Sequence, residues 1–246
     1  MAKKSHNRNP KIPAELLTNG IDKPDCQQSG GEGSSSSSEE LQLLNRALRA
    51  INQCNQSLIH ASDEQELLHQ ICNIVVEIGD YQMAWVGYRE HDTEKSIRPV
   101  AQAGFEDGYL KTMQLTWADA GRGRGPAGKS IRTGQPAVNP NMLTDPDFEP
   151  WRNEALARGY ASVMSLPLKR ENEVFGCLCI YSSRPNAFDT EESRLLMSLA
   201  DNLAYGVFML QTRKSHIEGG VKLQESESRY RSLFQNRHTV MLIIDQ

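Results

Sequence analysis

The segment Gly123–Ser130, GRGPAGKS, has the spacing of a phosphate-binding loop, with Lys129 placed to reach phosphate oxygens and Ser130 to ligate magnesium. Met241–Asp245, MLIID, has the composition of the apolar strand ending in an acid that could serve such a site. A loop of this kind works only between a buried strand and a sustained helix. Here Leu115–Ala120, LTWADA, is a short lead-in carrying Asp119, and Gly134 with Pro136 stops any helix past Ser130 within about one to two turns. The glycines read better as a turn into a short helix, and nucleotide hydrolysis is kept only as an alternative.

Other fragments carry chemistry in name more than in context. Ser215–Glu218, SHIE, matches the phosphoacceptor box of histidine kinases, but Gly219 and Gly220 follow where Arg-Thr-Pro belongs. Glu154–Leu156 spells the signature of cyclic di-GMP phosphodiesterases, without the barrel of about 250 residues that such an enzyme needs. A linker and a helix turn are the plainer readings, and no GGDEF sequence occurs. The six histidines lack metal-ligand spacing, and Cys177 with Cys179 supplies two ligands at most on one strand face. These thiols read as core, and neither a metal site nor a catalytic residue is expected.

Composition narrows the class. A net charge of −4 and a pI near 5.9 give no basic field for a nucleic-acid backbone, so no nucleic-acid partner is expected. Five scattered cysteines fit a reducing compartment. No run approaches the roughly 20 apolar residues of a membrane span, and the N-terminal charges have no apolar region behind them. The expected location is the cytoplasm, away from membranes.

The elements that would position these residues follow from periodicity. Residues 1–40 are polar, rich in Pro, Gly and Ser, and read as a disordered tail. Leu41, Leu44, Leu48, Ile51 and Leu58 then keep helical steps of three and four, a stripe that either packs on its own domain or forms a dimer seam. Ser62 with Gln65, and Asp63 with Glu66, have capping-box spacing ahead of a second helix ending at Gly79. Tyr81–Arg89 and Ile97–Gly104 predict an antiparallel pair, and Ser162–Arg170 with Val174–Ser183 a hairpin. In the last strand Phe175, Cys177, Cys179 and Tyr181 fall on one face and Val174, Leu178 and Ile180 on the other, so both faces are covered. Asp189 with Glu192 caps a closing helix with the stripe Leu195, Leu199, Leu203, Val207 and Leu210. The sum is an α+β domain around a central antiparallel sheet.

At this point the residues resemble a GAF domain. The carriers are YQMAWVGY, RPVAQAG, RGRGPAGKSIRTGQPAV (Arg122–Val138), TDPDFEPWRNEALARGYASVMSLPL (Thr144–Leu168), VFGCLCIYS and FDTEE, about two thirds of the chain. The resemblance implies five to six strands in the order 2-1-5-4-3, terminal helices on one face, and short helices, loops and a ligand cavity over the other. It implies a sensory input module of a signalling protein whose output is a histidine kinase or an enzyme of cyclic di-GMP turnover, in a GAF domain spanning 41–212. The linker 213–228 departs from the pattern, since Gly219 and Gly220 should interrupt a signalling helix. Residues 229–246 resemble the opening of a PAS domain, a helix leading into the strand Val240–Ile244, and the chain is expected to continue beyond Gln246.

The same resemblance puts a cavity between the outward face of the first strand and the middle segment, with Trp85, Trp117, Asp119, Arg124, Trp151, Tyr160 and Ser162 as ligand-binding candidates. The tryptophans equally suit a filled second core, and Arg124 with Asp119 an ion pair across a loop. The cofactor is unknown: no Cys-His dipeptide offers bilin attachment, the paired cysteines of GAF-type methionine sulfoxide reductases are missing from the glycine-rich segment, and the cyclic-nucleotide residue set is not assembled. The reading is a non-catalytic sensor that binds an unidentified small molecule or partner. A homodimer is expected through Leu41, Leu44, Leu48, Ile51, Leu58, Leu199, Leu203 and Leu210. The alternative is a constitutive dimerisation and spacer module.

Overall fold

Asp63 starts a helix as its spacing demands, its Oδ1 accepting the Glu66 N–H at 2.9 Å. At the other end of the fold Asp189 does the same for the Glu192 N–H at 2.7 Å. Between these caps lies the sheet. The computed structural model describes residues 32–105 and 108–241. In chain order the elements are α1 (Glu32–His60), α2 (Glu64–Glu77), β1 (Met83–Arg89), β2 (Ile97–Gly104), α3 (Tyr109–Thr112), α4 (Pro126–Thr133), β3 (Ala137–Asn139), α5 (Arg152–Ala157), β4 (Ser162–Arg170), β5 (Glu173–Ser182) and α6 (Thr190–Met241). The chain divides into units Met1–Glu39 and Glu40–Gln246, and the architecture below belongs to the second.

The five strands lie in the order β2-β1-β5-β4-β3, every neighbour antiparallel. Period-two alternation sends Ala84, Val86, Met164, Leu166, Leu178 and Ile180 to one face, where they pack with Leu67, Ile71 and Val75 of α2 and Leu196, Leu199, Leu203 and Val207 of α6. Met83, Trp85, Val163, Cys177, Cys179 and Tyr181 go to the other, under the middle segment between β2 and β4. Each fully buried Leu or Ile here contributes about 1.5–3 kcal/mol.

One strand breaks the expected parity. The register of β4 against β5 slips between Leu168 and Lys169, so that Gly176 faces Leu168, Val174 faces Lys169 and Phe175 is left over. This bulge exchanges two side chains: Phe175 packs at the edge of the helix-side core, and Val174 joins the opposite one. The alternation read from Val174 to Tyr181 therefore holds only from Cys177 onward.

The ends of the chain also differ from expectation. α1 begins at Glu32, ahead of the boundary expected near residue 40, because extending a nucleated helix through Ser and Glu costs little per residue. Residues 1–31 lie outside the described ones. α6 runs unbroken through Gly219 and Gly220, which cost about 1 kcal/mol each as helix residues, less than the hydrogen bonds a break would forfeit. The segments 213–228 and 229–241 are helical, including Val240, where a strand was expected; residues 242–246 lie outside the described ones.

The proposed seam is largely consumed at home. Ile51, Leu199 and Leu203 are buried in the domain's own core, with Leu58 and Leu210 partly buried against it and Leu44 half-buried. Of that set, Leu41 at 60% and Leu48 at 41% exposure face outward.

Candidate functional site

The glycine-rich segment folds as a 3-10 turn, Gly121–Arg124, followed by the eight-residue α4 with Pro126 at its first turn. Gly123 and Gly128 are needed for close backbone approach. A Cβ at Gly128 would lie 2.1 Å from the Gly123 carbonyl oxygen, and one at Gly123 would lie 1.9 Å from that of Ala118. Arg132, one α4 turn further on, ties the loop from inside, its Nη1 donating to the carbonyls of Trp117 (3.0 Å), Ala118 (3.0 Å) and Gly123 (2.5 Å). Ser130 is fully buried, its hydroxyl bonded to the Ala127 carbonyl at 3.0 Å and the Ser165 hydroxyl at 2.7 Å, and Lys129 is exposed. No strand leads into the loop; Thr116 only bridges Ser96. A magnesium-ligating serine beneath a phosphate cradle does not exist in this geometry.

Most of the described side chains that the middle segment packs against the sheet are buried. A cavity of about 20 Å³ is lined by Gln114, Arg122, Gly125, Phe148, Trp151 and Tyr181 among others, room for about one water. Ligand pockets are commonly at least about 300 Å³. Of the seven candidates, Trp151 lines this cavity. Trp85 is fully buried in the adjoining core, and Tyr160 donates from its hydroxyl to the Phe105 carbonyl. Ser162 is buried and donates to the Arg184 carbonyl at 2.7 Å. Trp117 packs partly buried against the edge of that core, its Nε1 donating to the Glu90 carbonyl at 3.0 Å, with Lys95 Nζ at 4.9 Å and the Arg89 guanidinium at 5.3 Å from its ring centroid. Asp119 and Arg124 form an ion pair at 3.7 Å, exposed 76% and 71%, and Arg132 approaches the same carboxylate at 3.6 Å. The structure thus brings Trp85, Trp151 and Tyr160 together as core, with Trp117 at its edge, and leaves Asp119 and Arg124 outside it.

Tyr109, which carried no sequence signal, completes that core. Its ring meets Tyr160 edge-on at 5.3 Å and Tyr181 at 5.7 Å, and Tyr160 and Tyr181 are 4.9 Å apart. Burial raises the hydroxyl pKa of both Tyr109 and Tyr181, so they act as neutral groups. The thiols are equally quiet. Desolvation pushes Cys54 and Cys72 up to about 12, and burial with the neighbouring Cys177 thiol, 3.9 Å away, raises Cys179. Among the described residues no group of three or more His, Cys, Asp or Glu could hold a metal, and no helix is long and apolar enough to cross a membrane.

A packed antiparallel sheet in this strand order, capped by a glycine-rich middle segment, has a sequence counterpart. The family model described as GAF domain matches residues 61–207, more than half of the chain. This chain belongs to the GAF domain family. Among solved structures, this GAF domain is similar to the free methionine-R-sulfoxide reductase of Neisseria meningitidis in complex with its substrate, at 16% identity and a TM-score of 0.57, over 68% of this chain and 91% of that one. It is similar to the GAF domain of a phosphoenolpyruvate-protein phosphotransferase from Coxiella burnetii, at 18% identity and a TM-score of 0.56, over 70% and 98%. An A. aeolicus GAF domain solved in an inactive state gives 19% identity and a TM-score of 0.52, over 69% and 99%. At these identities the likeness carries the fold. No curated protein matches the chain.

Proposed function

We propose that this GAF domain is a non-catalytic regulatory module of a cytoplasmic signalling protein, pairing with a second copy and passing a conformational change onward through α6. The observation that carries the reading is α6 itself. Its first turns place Leu196, Leu199, Leu203 and Val207 in the core, and the same helix continues to Met241, about 45 Å beyond Leu210 at 1.5 Å per residue. A change in packing around Leu203 therefore displaces the whole rod. Past the core, Leu210, Ile217 and Val221 continue the stripe of the buried Leu203 and Val207 at steps of seven and four, and Ile217 and Val221 are 59% and 51% exposed. A mostly polar helix standing alone gains little from its surroundings, and a parallel copy would cover this seam. In this reading a small ligand or protein partner biases the packing, and the helix leads toward a PAS domain and an output enzyme of the histidine kinase or cyclic di-GMP class.

The small size of the cavity found among the described residues favours a second reading, a constitutive dimerisation and spacer module. Thermal-shift measurements against nucleotides, tetrapyrroles and common metabolites separate the two, because a ligand that binds only the folded state raises the melting temperature. The pairing itself is tested by light scattering: a dimer that Ile217→Asp converts to monomer is expected, and a monomeric parent chain refutes it. Reductase neighbours raise a third possibility, which the burial of the four described thiols opposes. Incubation with free methionine-R-sulfoxide and a dithiol reductant is expected to give no turnover.

A further inference from the structure

Opposite the filled core, a cleft of about 290 Å³ opens where the end of the sheet meets α6. Its floor comes from Tyr88 and Arg89 at the end of β1, Arg98 on β2, and Arg170 and Phe175 of the β4–β5 hairpin; Phe208 and Gln211 of α6 form the wall. Both register breaks of the sheet fall on the strands that open onto it, one between Val86 and Gly87 against β2, the other expelling Phe175. The second break turns Phe175 toward the helix side, where its ring meets Tyr88 edge-on at 5.7 Å. Tyr88 is fixed in turn by its hydroxyl, which donates to Glu64 at 2.6 Å.

The charges are unbalanced. Arg98 pairs with Glu90 at 2.5 Å and Arg89 with Glu173, so both rim carboxylates are already engaged. Arg89 is only 16% exposed, and its Nε is buried without a hydrogen-bond partner. Arg170 has no carboxylate partner among the described residues; its guanidinium lies over the Phe208 ring at 5.0 Å. A guanidinium placed over an aromatic ring keeps its N–H groups available as a two-pronged donor for a carboxylate. Three aromatic rings beside it suit a flat apolar body, and Glu90 with Glu173 on the rim disfavour a second negative charge. The volume lies at the small end of ligand pockets.

We propose that this cleft binds a small monoanionic aromatic carboxylic acid, its carboxylate on Arg170 and its ring among Tyr88, Phe175 and Phe208. The site is separate from the cavity under the middle segment and touches α6 directly, so occupancy bears on the helix at Phe208 and Gln211 whether or not the filled core ever opens. The test is an amide NMR titration of the full chain with sodium benzoate, with benzamide and sodium chloride as controls. Saturable shifts at Phe175, Phe208 and Gln211 with benzoate alone, weakened at least about tenfold in Arg170→Gln, are expected from loss of a charge-assisted contact. Arg170 is exposed, so this variant leaves the core untouched. Equal shifts with benzamide, shifts that chloride reproduces at the same ionic strength, saturable shifts centred on Trp151, or undiminished binding by Arg170→Gln each overturn the assignment.

Discussion

Replacing Gly128 by alanine puts a single methyl into the tightest backbone contact of the middle segment. The new Cβ would sit 2.1 Å from the Gly123 carbonyl oxygen and 2.8 Å from that of Thr116. Both obstacles are main chain, and the Gly123 carbonyl is held by Arg132, so neither can swing aside as a side-chain tip would. Overpacking of this kind costs about 1–3 kcal/mol and more where the neighbour is rigid, so about 3 kcal/mol is expected. For a domain of this size each kcal/mol lowers Tm by about 2–4 °C, giving a drop of about 6–12 °C. Lys129→Ala, one residue on and exposed, should change stability by no more than about 0.5 kcal/mol. Differential scanning fluorimetry of both variants, with ATP–magnesium binding by calorimetry, makes the comparison. A Gly128→Ala protein melting within 2 °C of the parent, or nucleotide binding that Lys129→Ala abolishes, would refute the view that these glycines serve packing.

Glu192 is nearly buried at the start of α6, where burial raises its carboxyl pKa, and Tyr81 donates to it at 2.6 Å. For an acid raised on folding, the stabilising contribution is complete below the unfolded value near 4.3 and is lost as pH rises through the folded one. Glu192→Gln keeps an acceptor for Tyr81 and removes the titration, so it should gain stability over the parent as pH goes from 4 to 8; parallel urea curves at both pH values would contradict this. The four described thiols should resist a disulfide reagent at pH 8 in a Cys26→Ser background and react at once in 6 M guanidinium, whereas rapid labelling of the native chain would remove the argument from desolvation.

What the sequence made legible was whatever depends on local spacing. Asp63 and Asp189 cap where their partners three residues on say they should, and the Leu195–Leu210 stripe buries the face its period implies. The sheet order came with the family resemblance, since no local pattern encodes which edge β3 occupies. β3 itself has three residues, too few for alternation to register. Phe175 defeated parity because a bulge is set by the partner strand's register. The candidate site was read as residue types without distances: Trp85, Trp151 and Tyr160 do meet, but in a filled core, and the pairing of Asp119 with Arg124 stands in solvent. Arg132 went unread because its role is to bind three carbonyls, and carbonyls leave no trace in a side-chain pattern.

Gly219 and Gly220 have a mechanical meaning for the rod that contains them. Nothing lies within 4 Å of a Cβ built at either position, so no packing demands glycine there, and alanine at both would firm the helix by about 2 kcal/mol. On the proposed reading of α6 as a transmitting rod, the pair would be its softest point between Leu203 and Tyr230, and alanine at both positions would stiffen it.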